Sequence, residues 1–154
     1  MGNAVAVMDA PDAPSGRINA SRVILGGLVA GLLINISETV VKTVVLAADV
    51  TTRMAQMNLS PPGASAIVVL MLRGFAGGIA TVWLYAVIRP RFGTGPRAAL
   101  IAGLAVWFFT CLYPGIAMLA IGLDATRMMV IYMTWTSIEL VVAALVGAAL
   151  YSEG

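Results

Sequence analysis

Histidine is absent from the 154 residues, and Cys111 is the only cysteine. Without imidazole there is no His ligand for haem, chlorophyll or zinc, and no Ser-His-Asp or Cys-His site. A single thiol excludes an intrachain disulfide and a C-x-x-C redox pair. Charge is also scarce: Asp, Glu, Lys and Arg make up 10% of the chain, against about 25% in a soluble domain. The net charge of +2 comes with no run of basic residues, which argues against nucleic acid and against a polybasic lipid anchor. The first twenty residues have neither the basic start nor the apolar core of a secretory signal. Position 6 is Ala where N-myristoylation needs Ser or Thr.

What is present is apolar. Hydrophobic residues make up 60% of the chain and the mean hydropathy is +0.97. Four runs, about 23–48, 64–88, 98–123 and 128–151, are each long enough to cross a ~30 Å hydrocarbon core. Breakers separate them: Ser60-Pro61-Pro62-Gly63 closes the segment Val50 to Gly63, Pro90, Gly93, Gly95 and Pro96 lie between Arg89 and Arg97, and Gly122 to Arg127 makes a tight last turn. The expected architecture is all-α: a polytopic membrane protein with four transmembrane helices in one bundle. Residues 1–21 read as a flexible cytoplasmic tail and 22–154 as the membrane domain.

Four crossings put both termini on one side. Arg17, Arg22, Arg89, Arg91 and Arg97 fall on that side against Arg53 and Arg127 on the other, so the positive-inside rule predicts cytoplasmic termini. Ala30-Gly31-Leu32 matches Ala102-Gly103-Leu104 at an offset of 72, and Leu84-Tyr85 matches Leu150-Tyr151 at 66. Odd helices match odd and even match even, so a repeat here would be a parallel pair of helical hairpins.

Ionisable residues inside the spans carry the most information, because each costs ~2.5–3.5 kcal/mol at the bilayer centre without partners or water. They are Glu38, Lys42, Arg73 and Glu139. Counting residues from the terminal edge puts Glu38, Arg73 and Glu139 at one depth, roughly 21–24 Å in at 1.5 Å per residue. The same count places Tyr113, next to Pro114, in that layer on the third helix. Gly27, Gly31, Asn35, Glu38 and Lys42 form one stripe of the first helix. Small stripes, Arg73, Gly77 and Thr81 on the second and Glu139, Ala143 and Gly147 on the fourth, suggest close helix packing through Gly27, Gly31, Gly77 and Gly147. Matched depth predicts that Arg73 lies close to Glu139 or Glu38. Two acids and two bases sum to zero, as a static salt-bridge network would; a carboxylate serving as a proton or cation site is the competing reading.

Seven methionines, among them Met118, Met128, Met129 and Met133, gather toward the outer side. Thioethers can bind Cu(I), yet their spacing follows no ligand pattern and they read as pliable filler. The glycines of Arg73-Gly-Phe-Ala-Gly-Gly and Gly93-Thr-Gly95 lack the preceding strand and following lysine of a nucleotide loop.

Val23-Ile-Leu-Gly-Gly-Leu-Val-Ala-Gly31, Asn35-Ile-Ser-Glu38, Val82-Trp-Leu-Tyr-Ala86, Arg89-Pro-Arg-Phe-Gly93 and Leu150-Tyr151 together resemble a group of four-helix bacterial integral membrane proteins with no assigned activity. The resemblance covers residues 22–153 and implies a bacterial inner membrane. The expected function is a structural or accessory bundle, with no enzymatic activity, cofactor or metal. Its expected partners are the lipid bilayer and either a larger membrane complex or further copies of itself. A small proton- or ion-coupled transporter using Glu38 or Glu139 is the alternative.

Overall fold

The computed structural model describes residues 18–122 and 126–151. Most of the expected tail, part of the turn before the fourth span, and the last three residues lie outside them. The described residues are helical, with no strand among them. Four helical stretches are long and apolar enough to cross a membrane: Ala20–Val45, Ala64–Phe92, Pro96–Ala120 and Thr126–Ala149.

The first stretch begins where Asn19 accepts a hydrogen bond on its side-chain oxygen from the Arg22 N–H at 3.2 Å, capping helix α1, Ala20–Val40. Helix therefore starts two residues inside what the sequence suggested was tail. A π-helical turn, Val41–Val45, follows and closes when the Leu46 N–H reaches the Val41 carbonyl at 2.8 Å. Leu46 leaves helical geometry (φ −109°, ψ 17°), so the first crossing ends there and does not run on to Ala48. A short amphipathic helix, α2 (Ala47–Gln56), occupies much of the segment expected to be loop. Arg127 anchors it by donating from Nη1 to both carboxylate oxygens of Asp49, at 2.5 and 2.6 Å.

Helix α3, Ala64–Phe92, passes through Pro90, whose missing N–H costs a single bond, and stops at Gly93 with φ 88°. Pro96 opens α4, Pro96–Trp107, at a position where no N–H is needed. A second π-helical turn, Phe108–Leu112, joins it to α5, Tyr113–Ala120. Pro114 lies just beyond that turn, consistent with a local break in regular hydrogen bonding. Helix α6, Thr126–Ala149, is the last crossing.

Helix α1 packs against α3 and α6; α4 packs against α6 and α3; and α3 also meets α6. Small residues make this possible. Ala30, Ala98, Ala99, Ala102, Ala143 and Ala144 are buried in the main core with Val82 and Leu140. A Cβ on Gly31 would lie 2.7 Å from the Phe75 Cα, and one on Gly103 would lie 3.1 Å from the Val141 Cα, so both contacts depend on the absent side chain. At the end shared by Asn19 and Tyr151, the Tyr85 and Tyr151 rings meet edge to face with centroids 6.0 Å apart. The Tyr85 hydroxyl donates to the Thr94 carbonyl at 3.1 Å, and the Tyr151 hydroxyl accepts from the Asn19 N–H at 3.3 Å.

The other end, hereafter the far end, is looser. Residues 64–73, the first ten of α3, are all exposed. A second, smaller core of Cys111, Met129 and Met133 holds α6 to the second π turn, and the Trp107 indole N–H donates to the Met133 carbonyl at 3.0 Å. Met129 and Met133 thus act as filler here, as their flexible thioethers suit.

Candidate functional site

The polar side chains toward the far half of the spans form two groups. The first is built on Glu38. Lys42, one turn later on the first span, pairs with Glu38 Oε2, and the Tyr132 hydroxyl of α6 donates to Oε1 at 2.5 Å. Lys42 also lies over the Tyr132 ring, 5.6 Å from its centroid. Beside this triad, the Trp135 indole N–H donates to the Ser37 hydroxyl oxygen at 2.8 Å. The Tyr132 and Trp135 bonds run between the first and fourth spans and fix their register, while the Lys42–Glu38 pair lies within the first span. Lys42 and Tyr132 satisfy the Glu38 carboxylate on both oxygens, as burial in low dielectric demands.

The second group centres on Glu139. It is only 9% exposed, it shares the lining of one crevice with Ser37, and its Oε2 has no partner. Above it, the Cys111 thiol and the Thr136 hydroxyl are 3.1 Å apart, and Thr136 also donates to the Tyr132 carbonyl at 2.9 Å. Glu139 lines a crevice of about 290 Å³ together with Leu33, Ser37, Trp135, Ile138 and Val142. Ile138 is 63% exposed, so the crevice opens sideways between the first and fourth spans.

Arg73 does not join either group by contact. It is exposed and makes no ion pair among the described residues, although it stands within electrostatic range of Tyr132, Cys111 and Glu139. The expected contact of Arg73 with Glu139 or Glu38 is therefore not formed; the base that meets Glu38 is Lys42. Equal depth fixes a level in the membrane but not the direction in which a side chain points. Tyr113 also joins neither group, being 68% exposed and set against Phe108 at 6.5 Å between centroids. Tyr132 is the tyrosine of the layer.

Of the expected packing glycines, Gly27 and Gly31 bear on α3, where added Cβ atoms would lie 2.5 Å from the Ile79 Cα and 2.7 Å from the Phe75 Cα. Gly147 faces Val82, Gly26 and Ala30. Gly77 does not pack: a Cβ there would meet nothing within 4 Å. Its neighbour Gly78 makes the contact, one residue and about 100° away around the helix. Sequence reasoning also missed Tyr132, Ser37 and Trp135. Tyr132 precedes Glu139 by seven residues, two turns along the same face, and that spacing was a usable signal. Asn35 was placed on the correct stripe: its amide donates to the Gly31 carbonyl at 2.9 Å and to the Met71 carbonyl of α3 at 3.2 Å.

Among the described residues no three Cys, Asp or Glu side chains converge as metal ligands. No protein-family model, no curated protein and no solved structure matches the chain. The resemblance to four-helix bacterial membrane proteins thus rests on its motifs alone.

Proposed function

We propose that the chain is a non-enzymatic accessory or structural protein of the bacterial inner membrane, a four-helix bundle that docks on a larger membrane assembly or on further copies of itself. The observation that carries this reading is the far third of α3. Ten consecutive residues, 64–73, are all exposed, although the Met71 carbonyl accepts from the Asn35 amide, and the run ends in Arg73. Apolar residues can face lipid at little cost. An arginine in a span costs ~2.5–3.5 kcal/mol unless a polar partner or water meets it, so an acidic or polar group on a docked helix would complete the structure. The triad of Glu38, Lys42 and Tyr132 supports a static role, since its charges are already balanced and its bonds tie two helices together.

A photo-crosslinking side chain placed at Val69 tests this in native membranes. The expected result is a discrete crosslinked species that co-purifies in mild detergent and is lost in Arg73→Ala. A chain that purifies alone, yields no crosslink and dissipates an imposed pH gradient in liposomes would overturn it. That outcome favours the second reading, a small proton- or ion-coupled transporter, for which the unpartnered oxygen of Glu139 speaks.

The orientation proposed from the arginines has both termini in the cytoplasm. In a Cys111→Ala background, a cysteine at Thr94 should resist a membrane-impermeant maleimide in intact cells, whereas one at Asn58 should react. Labelling at Thr94 alone would invert the topology.

We also infer a parallel repeat of two helical hairpins. Gly31 bears on Gly74, Phe75 and Gly78, and Gly103 on Leu140, Val141 and Ala144. The offsets between these sets are the 72 and 66 residues of the sequence matches. The equivalent tyrosines, Tyr85 and Tyr151, meet ring to ring, as two such residues would beside a pseudo-twofold axis.

A further inference from the structure

We propose that the crevice between the first and fourth spans binds a lipophilic monocation, an organic cation with an apolar body, entering sideways from the bilayer. This goes beyond the accessory reading and does not depend on it. The site is defined by a buried carboxylate with an unpartnered oxygen, on a residue that lines the crevice. Glu38 is occupied on both oxygens by Lys42 and Tyr132, whereas Glu139 Oε2 is buried with no hydrogen-bond partner and Glu139 is among the residues lining a crevice of about 290 Å³. The other walls of the crevice are Leu33, Ile138, Val142 and Trp135, with the Ser37 hydroxyl beside them. The Ser37 hydroxyl oxygen already accepts from the Trp135 indole N–H, which holds the indole in place as a wall.

The chemistry of the occupant follows from what these groups offer. A carboxylate excludes an anion. Hard inorganic cations such as Ca²⁺ or Mg²⁺ need about six oxygen ligands, and one carboxyl with one hydroxyl falls far short. A delocalised or alkylated cation needs few ligands, gains from apolar walls, and is attracted to an aromatic face. Access fits as well. Glu139 is near the middle of the 24-residue helix Thr126–Ala149, on the order of 15–20 Å from either end at 1.5 Å per residue, and the exposed Ile138 and Val142 mark the mouth on the side facing lipid. A ligand already dissolved in the bilayer reaches it directly.

Tetraphenylphosphonium and tetraphenylborate share one aryl shell and differ in sign, so together they separate charge recognition from greasy partition. With the full chain in nanodiscs, and empty nanodiscs as background, equilibrium dialysis should show saturable binding of the phosphonium and none of the borate. Glu139→Gln should weaken it roughly ten- to hundredfold, the range for losing one charge-assisted contact, while Thr134→Val, at an exposed position of the same helix outside the crevice, leaves it within about twofold. Val142→Trp, which fills the mouth and keeps the carboxylate, should block binding as well and covers the case in which Glu139→Gln fails to fold. Equal uptake of both ions, or phosphonium binding that survives Glu139→Gln and Val142→Trp in folded protein, would overturn the proposal. So would an absence of saturable binding; a crosslink from Ile138 to a second polypeptide would then assign the crevice to a partner helix.

Discussion

Leucine at Gly78 should prevent recovery of folded protein, whereas alanine at the adjacent Gly77 should be tolerated. A Cβ on Gly78 would lie 2.6 Å from the Gly31 Cα and closer still to other backbone atoms of α1. No rotamer relieves a clash with backbone, so α1 and α3 would have to part along the whole seam of Gly27, Gly31, Gly74 and Gly78. Overpacking a core typically costs ~1–3 kcal/mol when side chains can shift, and here the obstruction is main chain, which places the cost at or above the top of that range. At Gly77 nothing lies within 4 Å of an added Cβ. Alanine there meets no clash and removes a helix-weakening glycine, a gain of up to about 1 kcal/mol. Size-exclusion profiles and thermal melts in one detergent check both. A monodisperse Gly78→Leu protein melting near the wild type would refute the seam.

The contrast between these adjacent glycines shows where sequence reasoning holds and where it stops. Periodicity and hydropathy suffice for four apolar helices, because a membrane span must satisfy its own backbone and stay apolar over its length. The stripe from Gly27 to Lys42 was legible for a similar reason: residues three and four apart share a face whatever the helix packs against, and Glu38 with Lys42 is such a pair. What could not be read was rotation about the helix axis. Choosing Gly77 over Gly78 is an error of one residue, about 100°. Tyr113 faces outward, which a count of depth from Arg97 along an unbroken α-helix could not foresee. The π turn Phe108–Leu112 inserts extra backbone just before it and turns every later side chain on that span. Helix α2 was hidden because its polar, weakly apolar sequence looks like a loop until Asp49 is seen anchored by Arg127.

Lys42→Met should destabilise the protein more than Arg73→Ala, although hydropathy ranks both as equally costly charges. Glu38 has a side-chain exposure of 18% and depends on Lys42 and Tyr132 for its two oxygens. Breaking a buried pair by removing one member costs ~3–5 kcal/mol, because the other charge is stranded. Lys42 is 39% exposed, so part of that attraction is screened and the lower end, or somewhat below it, is expected. Arg73 is exposed and forms no ion pair among the described residues, so its removal strands nothing within the chain. Tyr132→Phe should fall between, at about 1–3 kcal/mol for one hydrogen bond to a charged acceptor. The decisive comparison is the double variant Lys42→Met with Glu38→Gln. It removes both charges together and should be more stable than Lys42→Met alone, with a coupling energy of roughly 0.5–3 kcal/mol for groups in contact. Thermal melts of the four proteins in one detergent measure that coupling. Strict additivity would mean that Lys42 finds water or lipid headgroups instead of Glu38, so that the carboxylate is held by the Tyr132 hydroxyl alone.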